Sequence, residues 1–341
     1  MIGPMVTTLV LGGTSWVGGQ IAQEAVARGH DVTCLARGES GAAPRGAAFV
    51  EADRSGPAAY NSVADREWDV VIDVSRQPGQ VRSAVAALGA MSRQWTFVST
   101  GSVYVDQSGA TTEASPLLPA LEGDEAGPET YGAGKVACEQ AVLSLQQSLI
   151  VRAGLIGGPG DRSDRLGHYV ARMAVAEGGP VLVPNAAEQP MQVIDVRDLA
   201  RWIVLASESG STGVVHGVGE ATTLGKLIDL SAEVAHYSGS EVAADPDWLL
   251  AHDIQPWMGP RSLPLWLPTS HHGMGMMDDA RSISMGLQRL PLADTLSDTL
   301  DDERARGLNR PRSAGLTRTD EVDLIDLWHR DCREPDSAAS T

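Results

Sequence analysis

Short apolar runs alternate with stretches of helical period through the first half of the chain, and that rhythm sets the expected fold. Residues 8–11 read as an apolar strand, followed by the turn Gly12-Gly13-Thr14-Ser15-Trp16-Val17-Gly18. From Trp16 to Arg28 apolar residues recur on one face (Val17, Ile21, Ala25), and Gly29 is a fitting helix stop. Further strands are expected at 31–35, 47–51, 69–74, 95–99 and 149–152, with helices near 57–64, 80–91 and 132–147. Strands alternating with helices predict an α/β protein with a Rossmann-type, doubly wound parallel sheet. Ligands of such sheets bind at the carboxyl ends of the strands.

Beyond residue 154 the alternation loosens. Helices are expected at 195–207, 224–237, 292–306 and 318–330, and a strand at 214–218. The pattern predicts a dinucleotide-binding domain over 1–153 with a returning segment near 191–210. A smaller, interleaved cap domain for substrate takes 154–190 and 211–330, and 331–341 is a disordered tail. The stretch 106–130 is acidic and rich in turn residues, which predicts a long surface loop bordering the site.

Two motifs carry chemistry. Strand, glycine turn, helix and second strand form the context in which glycines let backbone approach a pyrophosphate, and the helix N-terminus favours its charge. Gly12, Thr14, Ser15, Trp16, Val17 and Gly18 are therefore candidate cofactor contacts. Ser15 stands where a glycine is usual; its hydroxyl is expected either to donate to a phosphate or to crowd it. The second motif is Tyr131-x-x-x-Lys135, built on one of only two lysines in the chain. Residues i and i+4 share a helix face, and an ammonium beside a phenol favours the phenolate, as an acid/base catalyst requires.

Composition narrows the function. A net charge of −18 argues against nucleic acid as a general partner. Three scattered cysteines suit a reducing, cytoplasmic setting better than a disulfide framework. No apolar run is long enough for a membrane span. His271 and His272, with three nearby methionines, lack the carboxylates or thiolates of a metal site, so no metal is expected. Trp257 and Trp266 are candidates either for the substrate pocket or for packing.

With these motifs the chain resembles an extended-type short-chain dehydrogenase/reductase of the NAD(P)-dependent epimerase/dehydratase family, over roughly residues 6–330. Besides the two motifs, the resemblance rests on residues 97–104 (Phe-Val-Ser-Thr-Gly-Ser-Val-Tyr), 151–160 and 193–200. It is closest to an actinobacterial-type branch related to chloroplast stem-loop-binding proteins. The resemblance implies that Tyr131 exchanges a proton with the substrate oxygen, that Lys135 binds the nicotinamide ribose, and that Thr100 hydrogen-bonds the same oxygen. It places Asp53 by the adenine and Val74, Ser75 and Ser99 along the cofactor, with Tyr104 held in reserve and Arg152 and Asp198 structural. Dehydratases of the family carry an Asp-Glu pair after the threonine; Gly101 and Ser102 stand here and argue against elimination.

After the second strand come Ala36 and Arg37 and no carboxylate at the strand end. Arg37, with Arg54 either as reinforcement or as a partner of Asp53, therefore favours NADP(H) over NAD(H). The expected activity is hydride transfer to or from a carbonyl or secondary alcohol of a small, sugar-like or secondary-metabolite substrate. The alternatives are a nucleotide-sugar epimerase that retains its cofactor, and a non-catalytic cofactor-sensing or RNA-associated protein. Monomer and homodimer both remain open.

Overall fold

The computed structural model describes residues 5–333. Along the chain run β1 (Thr7–Leu11), α1 (Trp16–Ala27), β2 (Asp31–Ala36), β3 (Ala48–Glu51) and β4 (Trp68–Asp73). After them come α2 (Pro78–Leu88), β5 (Ser92–Thr100), α3 (Tyr131–Leu143) and β6 (Ser148–Ala153). A later strand, Gly213–Gly217, joins them in a seven-stranded sheet of order Gly213–Gly217, β6, β5, β4, β1, β2, β3. Every neighbouring pair is parallel. The order reverses between β1 and β4, which opens the crevice where doubly wound sheets bind ligands.

Both faces of the sheet are covered, so its strands are apolar throughout rather than alternating. The period of two still sorts the side chains. Val10 packs with Ile21 and Ala25 of α1 and with Leu199 and Ile203 of the helix Val196–Glu208. Leu9 and Leu11 point the other way, to Val81 and Leu88 of α2 and Cys138 and Val142 of α3.

Two expectations change. Residues 57–64 form consecutive turns instead of a helix, because their hydrogen bonds span mainly three residues, as in Asn61 N to Ala58 O and Val63 N to Tyr60 O. The chain also divides differently. One compact unit holds the residues up to Ile156, Gln192–Glu220 and Gly273–Arg289. The seventh strand and 273–289 thus belong with the large sheet, not with the smaller domain. Alternation identifies a strand, but only the open edge of β6 decides which sheet takes it, in the register Val215 to Val151.

The second unit comprises Gly157–Met191, Ala221–His272 and the residues from Leu290 onward. Within it the helices Gly167–Ala174, Leu224–Val234 and Leu292–Arg306 pack together, and Val181–Pro184 pairs parallel with Glu241–Ala244. Asp164 and Glu303, both buried, share the guanidinium groups of Arg306, Arg310 and Arg312. Trp266 is buried as packing, whereas Trp257 stays partly exposed, its ring 4.7 Å from the Arg165 guanidinium carbon. The helix Arg318–Asp331 carries order to the start of the expected tail; 334–341 lie outside the described residues. Among the described residues no helix is long and apolar enough to cross a membrane.

Candidate active site

The glycine turn sits at the carboxyl end of β1. Gly12 holds φ at +90°, a left-handed value, and donates its N–H to Leu35 O at 2.9 Å. Gly18 must be bare: a Cβ there would lie 2.2 Å from Gly12 O. Ser15 has an ordinary extended conformation (φ −74°) and caps α1, its Oγ accepting from Gly18 N at 3.2 Å. The same hydroxyl donates to Gly12 O at 2.8 Å. In this structure the Ser15 side chain tightens its own turn. Gly12 in its left-handed turn, the close Gly12–Gly18 approach and a capped helix N-terminus fit a dinucleotide's pyrophosphate.

At the end of β2, Arg37 is exposed and pairs with Glu39 at 3.1 Å. Asp53 accepts from Ser55 N at 2.9 Å, and that backbone bond is the main reason its carboxyl sits below the ordinary range. Arg54 is a correction. Its guanidinium is buried and grips Asp73 through two bonds of 2.8 and 2.7 Å, with Tyr60 Oη at 3.0 Å. It pairs with Asp73 rather than Asp53, and four of its five N–H donors are engaged inside the fold. Val74 lies over Gly12, where a Cβ would meet its Cγ2 at 2.7 Å.

Ser99 is a second correction. Its hydroxyl donates to Glu139 Oε1 at 2.5 Å, so its one side-chain donor is engaged inside the fold. Glu139 also takes Arg152 Nη2 at 2.8 Å, and Arg152 donates to Tyr104 Oη at 3.0 Å. Tyr104 meets His216 Nε2 at 2.5 Å, so this reserve tyrosine is part of a buried network. Burial raises the Tyr104 pKa and lowers that of His216.

Tyr131 opens α3 and is partly exposed; Lys135, one turn on, is buried. The lysine donates to Ser75 O at 2.8 Å and Val98 O at 2.7 Å, and its Nζ lies 4.6 Å from the centre of the Phe97 ring. It thus clamps α3 to the ends of β4 and β5 with two of its three donors. Thr100 ends β5, its Oγ1 accepting from Ser102 N at 3.2 Å. The helix is brought onto this turn by Gly132, where a Cβ would stand 2.2 Å from Ser102 O. A Cβ on Gly101 would likewise meet Met277 Sδ at 2.8 Å. The dehydratase Asp position is therefore filled by a thioether. Beside it lies a cavity of about 10 Å³, lined in part by Tyr104, Gln107, Thr111 and Met274.

The structure thus gathers Thr100, Tyr131, Lys135 and Ser75 around the ends of β4 and β5, and sets the glycine turn with Val74 on neighbouring β1. Sequence reasoning missed Asp73, Glu39, Glu139 and Met277. Glu139 alone had a local signal, continuing the i, i+4 row of Tyr131 and Lys135.

The sheet order, the glycine turn and the tyrosine–lysine helix define a Rossmann-type α/β enzyme of the extended short-chain dehydrogenase/reductase class. The chain belongs to the NAD dependent epimerase/dehydratase family, whose model matches residues 8–219. It is 27% identical to the chloroplast stem-loop binding protein of 41 kDa b of Arabidopsis thaliana, over 68% of this chain and 66% of that protein. It is 25% identical to the dTDP-6-deoxy-L-talose 4-dehydrogenase (NAD(P)(+)) of Kitasatospora kifunensis, over 66% of this chain and 77% of the relative. Among solved structures, UDP-glucuronic acid 4-epimerase from Bacillus cereus, in complex with NAD, shares the fold at a TM-score of 0.65. Identity there is 16%, and the match covers 88% of this chain and 99% of the other.

Proposed function

We propose that the protein is an NADP(H)-dependent oxidoreductase that moves a hydride to or from a carbonyl or secondary alcohol of a small, sugar-like or secondary-metabolite substrate. The observation that carries this reading is the close seating of α3 on the turn after Thr100, with Lys135 anchored beneath Tyr131. The bound nicotinamide supplies the hydride chemistry. Tyr131 gives or takes the proton at the substrate oxygen. Thr100 donates a second hydrogen bond to that oxygen, where negative charge develops. Lys135 keeps one donor for a ribose hydroxyl. Gly12 through Gly18 receive the pyrophosphate, Val74 and Ser75 flank the nicotinamide side, and Asp53 borders the adenine. Arg37 offers a 2′-phosphate its planar fork.

The name of the dehydrogenase relative and the lack of an acidic pair at Gly101 and Ser102 support oxidoreduction over elimination. The family match also favours a second reading, an epimerase that oxidises a nucleotide sugar transiently and returns the hydride.

Thermal unfolding with NADPH, NADP⁺, NADH and NAD⁺ tests the cofactor first. A ligand at 100 times its dissociation constant stabilises by about 2.7 kcal/mol, a visible shift. Carbonyl substrates are then screened for loss of NADPH absorbance, which separates a net reductase from an epimerase. Tyr131→Phe should lower turnover about 10²- to 10⁴-fold. No shift with any of the four nucleotides, or a Tyr131→Phe enzyme with full turnover, overturns the reading.

A further inference from the structure

The buried network around Tyr104 has a fixed proton direction. His216, beside Arg152 of β6 in the strand Gly213–Gly217, has its Nδ1 2.7 Å from Asp278 O. A carbonyl oxygen only accepts, so Nδ1 carries the proton and Nε2 accepts from the Tyr104 hydroxyl. Tyr104 Oη in turn accepts from Arg152 Nη1 at 3.0 Å. A proton added at Nε2 sets two donors against each other and leaves an imidazolium in the core beside the buried Arg152.

Two segments next to Thr100 meet at this histidine. Tyr104 ends the turn that follows Thr100, and Asp278 follows Met277, whose sulfur packs on Gly101 of that turn. The loop after Tyr104 and the stretch Gly273–Asp278 also bond each other: Gly273 N donates to Gln107 O at 2.7 Å and Asp278 N to Thr111 O at 2.9 Å. Those bonds contain no titratable group, and neither does the Gln192 amide that holds Met277 N and O. Of these ties, His216 is the one that acid breaks. Glu113 faces it from the loop, its Oε1 accepting from His216 N at 3.3 Å, and Glu139 lies behind Arg152. Arg281 approaches only the start of the strand, at Thr212 O. Burial above all keeps the imidazole neutral below its ordinary range, and Arg152 adds to this. The Asp278 carbonyl and the charges of Glu113 and Asp278 pull the other way without reversing it.

We propose that His216 is a positioning residue for Thr100 that works only as neutral imidazole. Through Tyr104 and Asp278 it holds the turn after Thr100 and the stretch Gly273–Asp278 together, and acid releases both. The hold is complete above pH 6.5 and is lost as the pH falls below that value. Opening frees an imidazole of ordinary pKa, so about one pH unit below 6.5 local opening is about tenfold more frequent than in neutral solution. The consequence for turnover rests on the reading above that gives Thr100 a bond to the substrate oxygen.

The test is hydrogen–deuterium exchange, read by mass spectrometry at about pH 7.5 and about pH 5.5 and corrected for the intrinsic rate, on the unaltered protein and His216→Gln. In the unaltered protein, peptides over 101–118 and 273–280 should exchange about tenfold faster at the lower pH, while those of β1 and α1 stay protected. His216→Gln should lose that pH dependence. The same acceleration in both proteins, or none in the unaltered one, overturns the inference. If unprotected β1 and α1 peptides show that the variant has not folded, ¹⁵N-histidine NMR of the unaltered protein decides. A proton on Nδ1, with a titration that tracks the exchange, supports the inference, and a proton on Nε2 at neutral pH overturns it. Neither measurement uses substrate or cofactor, so their failure leaves the oxidoreductase reading standing, and the absence of any nucleotide-induced thermal shift leaves this inference standing.

Discussion

The Ser102 carbonyl oxygen lies 2.2 Å from where a Cβ on Gly132 would be, so the first turn of α3 rests directly on the turn that follows Thr100. Real Cβ atoms do not approach an oxygen so closely, and the obstacle is backbone, which cannot swing aside. Gly132→Ala must lift α3 away from the end of β5. The expected cost is about 1–3 kcal/mol, as for other overpacked positions, measured by urea unfolding. Turnover should fall further than stability, because the displaced residue is the neighbour of Tyr131. An alanine variant as stable as the parent would show that this approach is not tight.

Arg54 and Asp73 form a fully buried pair, joined by two hydrogen bonds. Removing one partner strands the other charge in the core. Arg54→Leu alone should cost about 3–5 kcal/mol in denaturant unfolding, and Arg54→Leu with Asp73→Leu should recover much of it. Because the guanidinium is spent on Asp73, the NADPH-to-NADH affinity ratio should not move in any variant that remains folded. A selective loss of NADPH binding would return Arg54 to the phosphate site.

Ser15 supplies a cap to α1. Ser15→Ala removes an acceptor for Gly18 N and should cost about 1 kcal/mol, whereas Ser15→Gly should cost only a few tenths. Chemical denaturation of the two variants side by side checks the order. If the serine instead bound phosphate, both would lose cofactor affinity alike.

Stability should decline toward acid, and two groups of the second unit each contribute a window. His168 is buried, and its pKa is pushed down from 6.5 to about 3, first by burial and then by the positive charges of Arg312 and Arg172, against a smaller pull from Asp164. The folded state thus prefers neutral imidazole. Its contribution is complete above pH 6.5 and is lost as the pH falls toward 3, with a slope of up to about 1.4 kcal/mol per pH unit. Asp164 follows lower down. Burial acts to raise its pKa, but Arg310 and Ser313 outweigh it and hold the group at about 2, so its contribution is lost between 3.8 and about 2. Urea midpoints between pH 7 and 4 should fall in the parent and fall less steeply in His168→Gln, where buried His216 still contributes. Equal slopes in the two proteins would contradict the assignment.

Backbone periodicity is local, and so the local parts of this protein are legible in its residues. The run from β1 through the glycine turn to α1, the strands β2 to β6, and the shared face of Tyr131 and Lys135 all follow from spacings of two or about 3.6 residues and from where glycine is required. Side-chain partnership is different, because it depends on which groups the finished fold buries together. Arg54 found Asp73, 19 positions away, rather than the adjacent Asp53. Ser99 turned its hydroxyl to Glu139, 40 positions on, and Gly213–Gly217 joined β6 across the whole intervening segment. Arg37 and Glu39 are close in sequence, yet their pairing needed a left-handed Gly38 that composition does not announce. A buried charge or hydroxyl must be satisfied by whatever polar group the packing presents. That choice belongs to the tertiary structure, while the positions from which it is made belong to the sequence.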